Sequence, residues 1–177
     1  MQLLHDLVDG KSVALVGNAV SLASMGKADE IDAHEIVIRM NLGLPHIIGK
    51  LSGRRTTIWA AAKRWVGNSW PPDCKALLFM KLTSLGDKHW SELQSDNPPF
   101  PMIRWPLDLE QQCHDFVGAD PGTGIRLLWW LKKVATPATV NVYGMDCWST
   151  PSNWSGKFET PNHKPDLERI AMSKLLA

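Results

Sequence analysis

Two stretches, Val13-Ala14-Leu15-Val16-Gly17-Asn18 and Ile36-Val37-Ile38-Arg39-Met40-Asn41, decide the fold of this chain. Each is a short run of aliphatic residues bounded by turn formers, the pattern of a strand covered on both faces. Between them lies a helix that Ser21 is placed to cap, then the acidic linker Glu30-Ile31-Asp32-Ala33-His34. A strand, helix and strand in this order form the repeating unit of a parallel sheet wrapped by helices. Both strands end in an asparagine, Asn18 and Asn41. Ligands in such folds sit outside the carboxyl ends of the strands.

The same alternation continues on either side. Residues 1–10 read as a short amphipathic helix with Leu3, Leu4 and Leu7 on one side and Gly10 ending it. A third strand is expected near Thr56–Ala60, and Lys75–Lys81 reads as a fourth, continuous rather than alternating. From Asp87 to Pro106 the chain is expected to be irregular, broken by Pro98, Pro99, Pro101 and Pro106. Leu107–Val117 reads as a helix, and Pro121-Gly122-Thr123-Gly124 opens a second, apolar one through Lys133. Thr139–Gly144 is the next strand, Met145 to Asn162 a loop, and a last helix begins near Asp166 with Leu167, Ile170, Ala171 and Leu175 on one face. The expectation is one α/β domain over residues 1–177, a Rossmann-like, mostly parallel sheet flanked by helices.

Composition bounds the function. With 177 residues, 44% of them hydrophobic, there is enough chain for a substantial core. A formal net charge of +1 argues against a protein built to neutralise nucleic-acid phosphates. No run approaches the roughly 18 apolar residues of a membrane span, and the start lacks a basic-then-apolar leader, so a soluble chain is expected. Cys74, Cys113 and Cys147 lie far apart in no metal-type pair, which favours a reducing, cytoplasmic setting. Of nine tryptophans, most are expected in the core and a minority free to stack on a sugar.

Three constellations could carry chemistry. Gly17-Asn18 allows a tight turn and close backbone approach to a ligand, with an amide donor that brings no charge. Alone it is only a strand-to-helix turn; with Asn41 ending the neighbouring strand it reads as a phosphate site. Gly122, Thr123 and Gly124 place a potential capping threonine between glycines just before a helix, a geometry suited to an anion at a helix N-terminus. His163 and Glu168 stand at the start of the last helix, where a histidine is most often a surface or capping residue. An imidazole near its natural pKa can also take a proton from a hydroxyl at neutral pH.

Taken together these residues resemble glycosyltransferase family 29, the animal-type sialyltransferases. Val16-Gly17-Asn18, Glu30-Ile31-Asp32-Ala33-His34 and Val37-Ile38-Arg39-Met40-Asn41 are similar to that family's large sialyl motif, and Ser52-Gly53-Arg54-Arg55-Thr56-Thr57 to its tail. Pro121–Gly124 with Val142-Tyr143-Gly144-Met145 resembles the small motif, with Gly122 for the usual Ser or Thr and Met145 for Phe. His163 through Glu168 resembles the very small motif, and the three follow in the family's order. The third short motif departs: Ser152-Asn153-Trp154-Ser155 keeps an aromatic and loses the histidine and acid. The family's cysteine pair is replaced by Val13 and Pro137, which fits a bacterial or viral protein.

The resemblance implies a GT-A-like variant of the Rossmann fold and inverting transfer of sialic acid from CMP-sialic acid to a glycan hydroxyl. His163 would be the general base, with Glu168 in support. Gly17, Asn18, Asn41, Gly122, Thr123 and Gly124 would hold the nucleotide, and Trp154 would stack on sugar or base. No D-x-D triplet is present, and a single-phosphate leaving group needs little metal help, so no metal or other cofactor is expected. The expected partners are a nucleotide-sugar donor and a glycan acceptor, chosen by the segment between Trp59 and Trp105, and no nucleic acid. Lys50, Arg54, Arg55, Lys63 and Arg64 read as a solvated face, with an anionic acceptor or peripheral membrane contact as alternatives. The rivals are a CMP-Kdo-dependent transferase, a CMP-sugar-binding module without catalysis, and a dinucleotide enzyme. The last is disfavoured by the absence of G-x-G-x-x-G after the first strand.

Overall fold

The computed structural model describes residues 1–44, 50–62, 70–80, 84–147, 149–150 and 163–177. Six strands form its centre: β1 (Ser12–Val16), β2 (Ile36–Met40), β3 (Ile58–Ala61), β4 (Ala76–Phe79), β5 (Met102–Arg104) and β6 (Thr139–Tyr143). They run in the order β5-β4-β3-β2-β1-β6, and every pairing is parallel. The sheet is therefore wholly parallel among the described residues. The first two strands lie where the aliphatic runs place them, with Val13 opposite Ile36 and Val16 opposite Arg39. The central strands β2, β3 and β4 are buried residue by residue, whereas the edge strand β6 alternates. Continuous hydrophobic runs thus mark strands with a layer on each face.

Helices α1 (Gln2–Val8), α2 (Ser21–Ser24), α3 (Ala28–Ala33), α4 (Ser84–Ser95), α5 (Leu107–Val117), α6 (Thr123–Lys133) and α7 (Pro165–Leu176) supply those layers. One face of the sheet, through Leu15, Ile38, Ala60 and Leu78, packs on α1, α5, α6 and α7. The other is covered in two patches: Val16, Val37 and Tyr143 under Leu22 of α2 and Ile31 of α3, and Trp59, Leu77 and Phe79 under Leu93 of α4. Each such leucine, wholly removed from water, contributes about 1.5–3 kcal/mol.

Several expectations need correction. Residues 84–95 are a helix and Met102–Arg104 a strand, not irregular chain. The prolines flank these elements rather than interrupt them, and among the described residues β5 pairs only with β4, the edge position a neighbouring proline tolerates. Ser21 does not cap α2; the chain already turns in helical conformation at Val20, and Ser21 is the first helical residue. In α1 the buried side chains are Leu4 and Val8, with Leu3 38% exposed. In α7 the inward stripe is Glu168, Ala171 and Leu175, with Leu167 and Ile170 facing out. Glu168 turns inward because it finds partners there.

Several polar residues around β2 act structurally. Arg39 is fully buried, donating from Nε to the Arg55 carbonyl at 2.8 Å and from Nη2 to the Ser52 carbonyl at 2.6 Å. Burial pulls its pKa down to about 10, against the pull of Asp32. Asp32 accepts the backbone N–H groups of Arg54, at 2.7 Å, and Arg55, at 3.0 Å. Arg55 is not a loose surface charge: its guanidinium donates to the carbonyls of Asp32, His34 and Glu35 at the end of α3. Glu30 accepts the Tyr143 hydroxyl at 2.8 Å, and His34 lies 3.1 Å from the Asn141 amide. These bonds tie the β1–β2–β3 connections to β6. Four described tryptophans (Trp59, Trp105, Trp129 and Trp130) are core, Trp70 and Trp90 are half-buried, and no described helix is long and apolar enough to cross a membrane. Lys63, Arg64, Trp148 and Ser152–Ser155 lie outside the described residues.

Candidate functional site

Because β6 lies on the far side of β1 from all the other strands, the sheet's connections diverge between β1 and β6. That divergence opens a crevice at the strand carboxyl ends, the place where ligands bind in parallel sheets. The chain is drawn tight at this point. The Gly17 N–H donates to the Tyr143 carbonyl at 2.7 Å and the Ala19 N–H to the Gly144 carbonyl at 3.0 Å. A Cβ on Gly17 would stand 2.1 Å from the Gly144 carbonyl oxygen, so only glycine fits between β1 and β6. Asn18 follows, its Oδ1 pressed against the backbone of Gly43, where an added Cβ would come within 1.8 Å. That oxygen is buried and without a hydrogen-bond partner among the described residues.

Asn41 ends β2 in the left-handed conformation, φ 50°, which asparagine tolerates better than most residues. Its Oδ1 accepts the Ala62 N–H at 2.9 Å, and its carbonyl accepts the Trp59 indole N–H at 2.7 Å. The amide oxygen is thereby committed to the chain after β3, and the amide nitrogen is the group left to offer a ligand.

The N-terminus of α6 closes the crevice. Gly124 is crowded by Met145 and Met40, whose sulfur atoms would lie 3.2 and 3.4 Å from a Cβ there. Met145 thus touches both Gly17 and Gly124. Thr123 is not the capping residue: it is the first helical residue, and Gly122 holds the cap position. The cap is supplied from α7, where the Glu168 carboxylate, 3% exposed, accepts the Gly122 N–H at 2.7 Å. A Cβ on Gly122 would meet that carboxylate at 3.1 Å, a reason for glycine at this position. The amides of Thr123, Gly124 and Ile125 belong to the first turn and have no intrahelical acceptor, so they favour an anion.

His163 stands just before α7, which starts on Pro165, a residue suited to the first helical position. Its Nδ1 lies 3.3 Å from Glu168 Oε1. The Glu168 carboxylate raises the pKa of His163 above the usual imidazole value, against the opposing effect of burial, with Asp120 adding to the rise and Arg126 countering it.

Gly17, Asn18, Asn41, Gly122, Thr123, Gly124, His163 and Glu168 therefore gather at one end of the sheet. Trp154 lies outside the described residues. The sequence reading missed Glu110, Asp120 and Arg126. Arg126 donates to both oxygens of Glu110, at 2.7 and 2.5 Å, and to Asp120 at 2.6 Å. Asp120 directly precedes the Pro121 block, yet its partner follows six residues later across a helix start, a spacing no periodic pattern exposes.

The architecture defines a parallel three-layer α/β protein with a sialyltransferase-like fold. Among solved structures it is similar to a mammalian sialyltransferase, with a TM-score of 0.69 at 17% identity over 93% of this chain and 65% of that one. A mammalian sialyltransferase in complex with Gal-beta-1-3GalNAc-ortho-nitrophenol gives the same score and identity over 98% and 68%. The chain spans about two thirds of the length of these proteins. No family model and no curated sequence matches the chain.

Proposed function

We propose that the chain is a CMP-sugar-dependent glycosyltransferase that moves sialic acid from CMP-sialic acid to a glycan hydroxyl with inversion and without a metal. The observation that carries the reading is the meeting of three features at the β1/β6 crevice: the unpartnered Asn18 oxygen, the open first turn of α6 and the His163–Glu168 pair. A buried acceptor such as Asn18 Oδ1 calls for a donor, which a ribose hydroxyl or the cytosine amine supplies. The amides of Thr123, Gly124 and Ile125 and the Asn41 amide nitrogen stabilise the departing phosphate.

With its Nδ1 proton facing Glu168, neutral His163 presents the Nε2 lone pair to the acceptor hydroxyl. As that oxygen attacks the anomeric carbon, its proton passes to Nε2 and the sugar–phosphate bond breaks, CMP leaving with the bonding pair. Glu168 stabilises the resulting imidazolium. A base in this role is worth about 10²–10⁴ in rate. The segment between Trp59 and Trp105 is the proposed source of acceptor choice; its strands β3 and β4 are core, which leaves the rest of the segment for that role.

Calorimetric titration with CMP tests the donor site. Wild type binds, and Asn18→Ala binds about tenfold more weakly, a loss of about 1.4 kcal/mol. Its thermal stability stays nearly unchanged, because the deleted oxygen has no described protein partner. A wild type that does not bind CMP contradicts the reading. Running the same titration with intact CMP-sialic acid and CMP-Kdo separates the two donors.

A further inference from the structure

We propose that Asp120 is a positioning residue of this site: Arg126 holds it, and through it fixes the backbone that brings the Gly122 amide onto Glu168, which faces His163. The inference rests on His163 acting as the base, and it begins from connectivity. Asp120, Pro121 and Gly122 form a segment pinned at both ends. At one end Arg126, on the first turns of α6, donates to Asp120 Oδ1 at 2.6 Å; at the other the Gly122 N–H donates to Glu168 Oε1 at 2.7 Å. That same oxygen faces His163 Nδ1 at 3.3 Å.

Arg126 is itself immobilised. Its side chain is 13% exposed and its guanidinium is held in a bidentate grip by Glu110 of α5. Such a fork fixes orientation as well as charge. Three elements thus meet on one arginine: α5 through Glu110, α6 through Arg126 itself, and the loop before α6 through Asp120. Rotation of Asp120 away from Arg126 would free one end of the segment whose other end places the Gly122 amide on Glu168.

Among the described residues, several elements and neighbours bring charge towards His163. Glu168 comes from α7, Asp120 from the loop and Arg126 from α6, with Glu110 behind Arg126 and Lys164 adjacent in sequence. Asp120 keeps its carboxylate 60% exposed. It can therefore be neutralised without opening the core. Asp120→Ala removes the acceptor that Arg126 holds, while Asp120→Glu keeps both an acceptor and the charge.

The test is a titration of the His163 ring protons by NMR in the full chain, read beside the pH profile of CMP release from CMP-sialic acid. Asp120→Ala is expected to move the His163 midpoint, and the acid limb of the profile, to lower pH. Asp120→Glu restores both towards wild type. Asp29→Asn, an exposed neutralisation on α3 across the sheet, moves neither. A His163-dependent wild type whose midpoint ignores Asp120→Ala overturns the positioning role alone. A wild type with no His163-dependent release overturns the reading on which it rests.

Discussion

Glu168 is the side chain whose loss the structure prices most clearly. Its carboxylate is 3% exposed, accepts the Gly122 N–H at 2.7 Å and lies 3.3 Å from His163 Nδ1. Glu168→Ala removes a charge-assisted bond and leaves the Gly122 N–H buried without an acceptor, and a loss of this kind costs about 3 kcal/mol. In a domain of this size that corresponds to a fall of about 6–12 °C in Tm. Glu168→Gln retains an oxygen for Gly122 and loses only the charge opposite His163, so it costs about 1 kcal/mol and about 2–4 °C. Differential scanning calorimetry at pH 6 and pH 9 reads both. The Gln variant is expected to lose more at pH 6, where the missing carboxylate would have faced a protonated imidazole. Equal losses for Ala and Gln at both pH values, or none for either, would refute the argument that Glu168 caps α6.

Two further predictions follow from the same geometry. Gly17→Ala forces a Cβ to 2.1 Å from a backbone oxygen of Gly144, which cannot be relieved by rotating a side chain. It is expected to cost about 3 kcal/mol in a urea melt, the upper end for overpacking, and to weaken CMP binding as β1 and β6 separate. The second concerns pH. Glu168 raises the folded-state pKa of His163, so the ring's contribution to stability is complete below the ordinary value near 6.5 and is lost as pH rises through the folded value. The stability difference between wild type and His163→Gln, from urea melts between pH 6 and 9, should therefore shrink with rising pH; a constant or growing difference contradicts the assigned coupling.

How much of this was legible in the sequence depends on the range of the interaction. Ser12–Val16, Ile36–Met40, Leu107–Val117 and Thr123–Lys133 declare themselves because local period and composition agree with burial. Ser84–Ser95 and Met102–Arg104 were hidden because four prolines nearby outweighed a weaker helical pattern, although those prolines fall between elements. The asparagines at the strand ends, the α6 start and the histidine before α7 were all visible by position. Their divided labour was not. Asn41 spends its oxygen on Ala62, Thr123 yields the cap position to Gly122, and Arg39 and Arg55 serve carbonyls rather than a ligand. Each of these outcomes depends on a partner 13 or more residues away, or on a backbone angle, and a linear pattern carries neither.

The central claim is that His163 takes the acceptor proton in a metal-independent sugar transfer from a CMP donor. The most direct measurement is CMP release and product formation from CMP-sialic acid in EDTA, with a panel of galactosides, comparing wild type with His163→Ala. The account predicts turnover by the wild type and a fall of about 10²–10⁴ in the variant with CMP affinity retained. Tight CMP binding with no turnover, or turnover indifferent to His163, would contradict it.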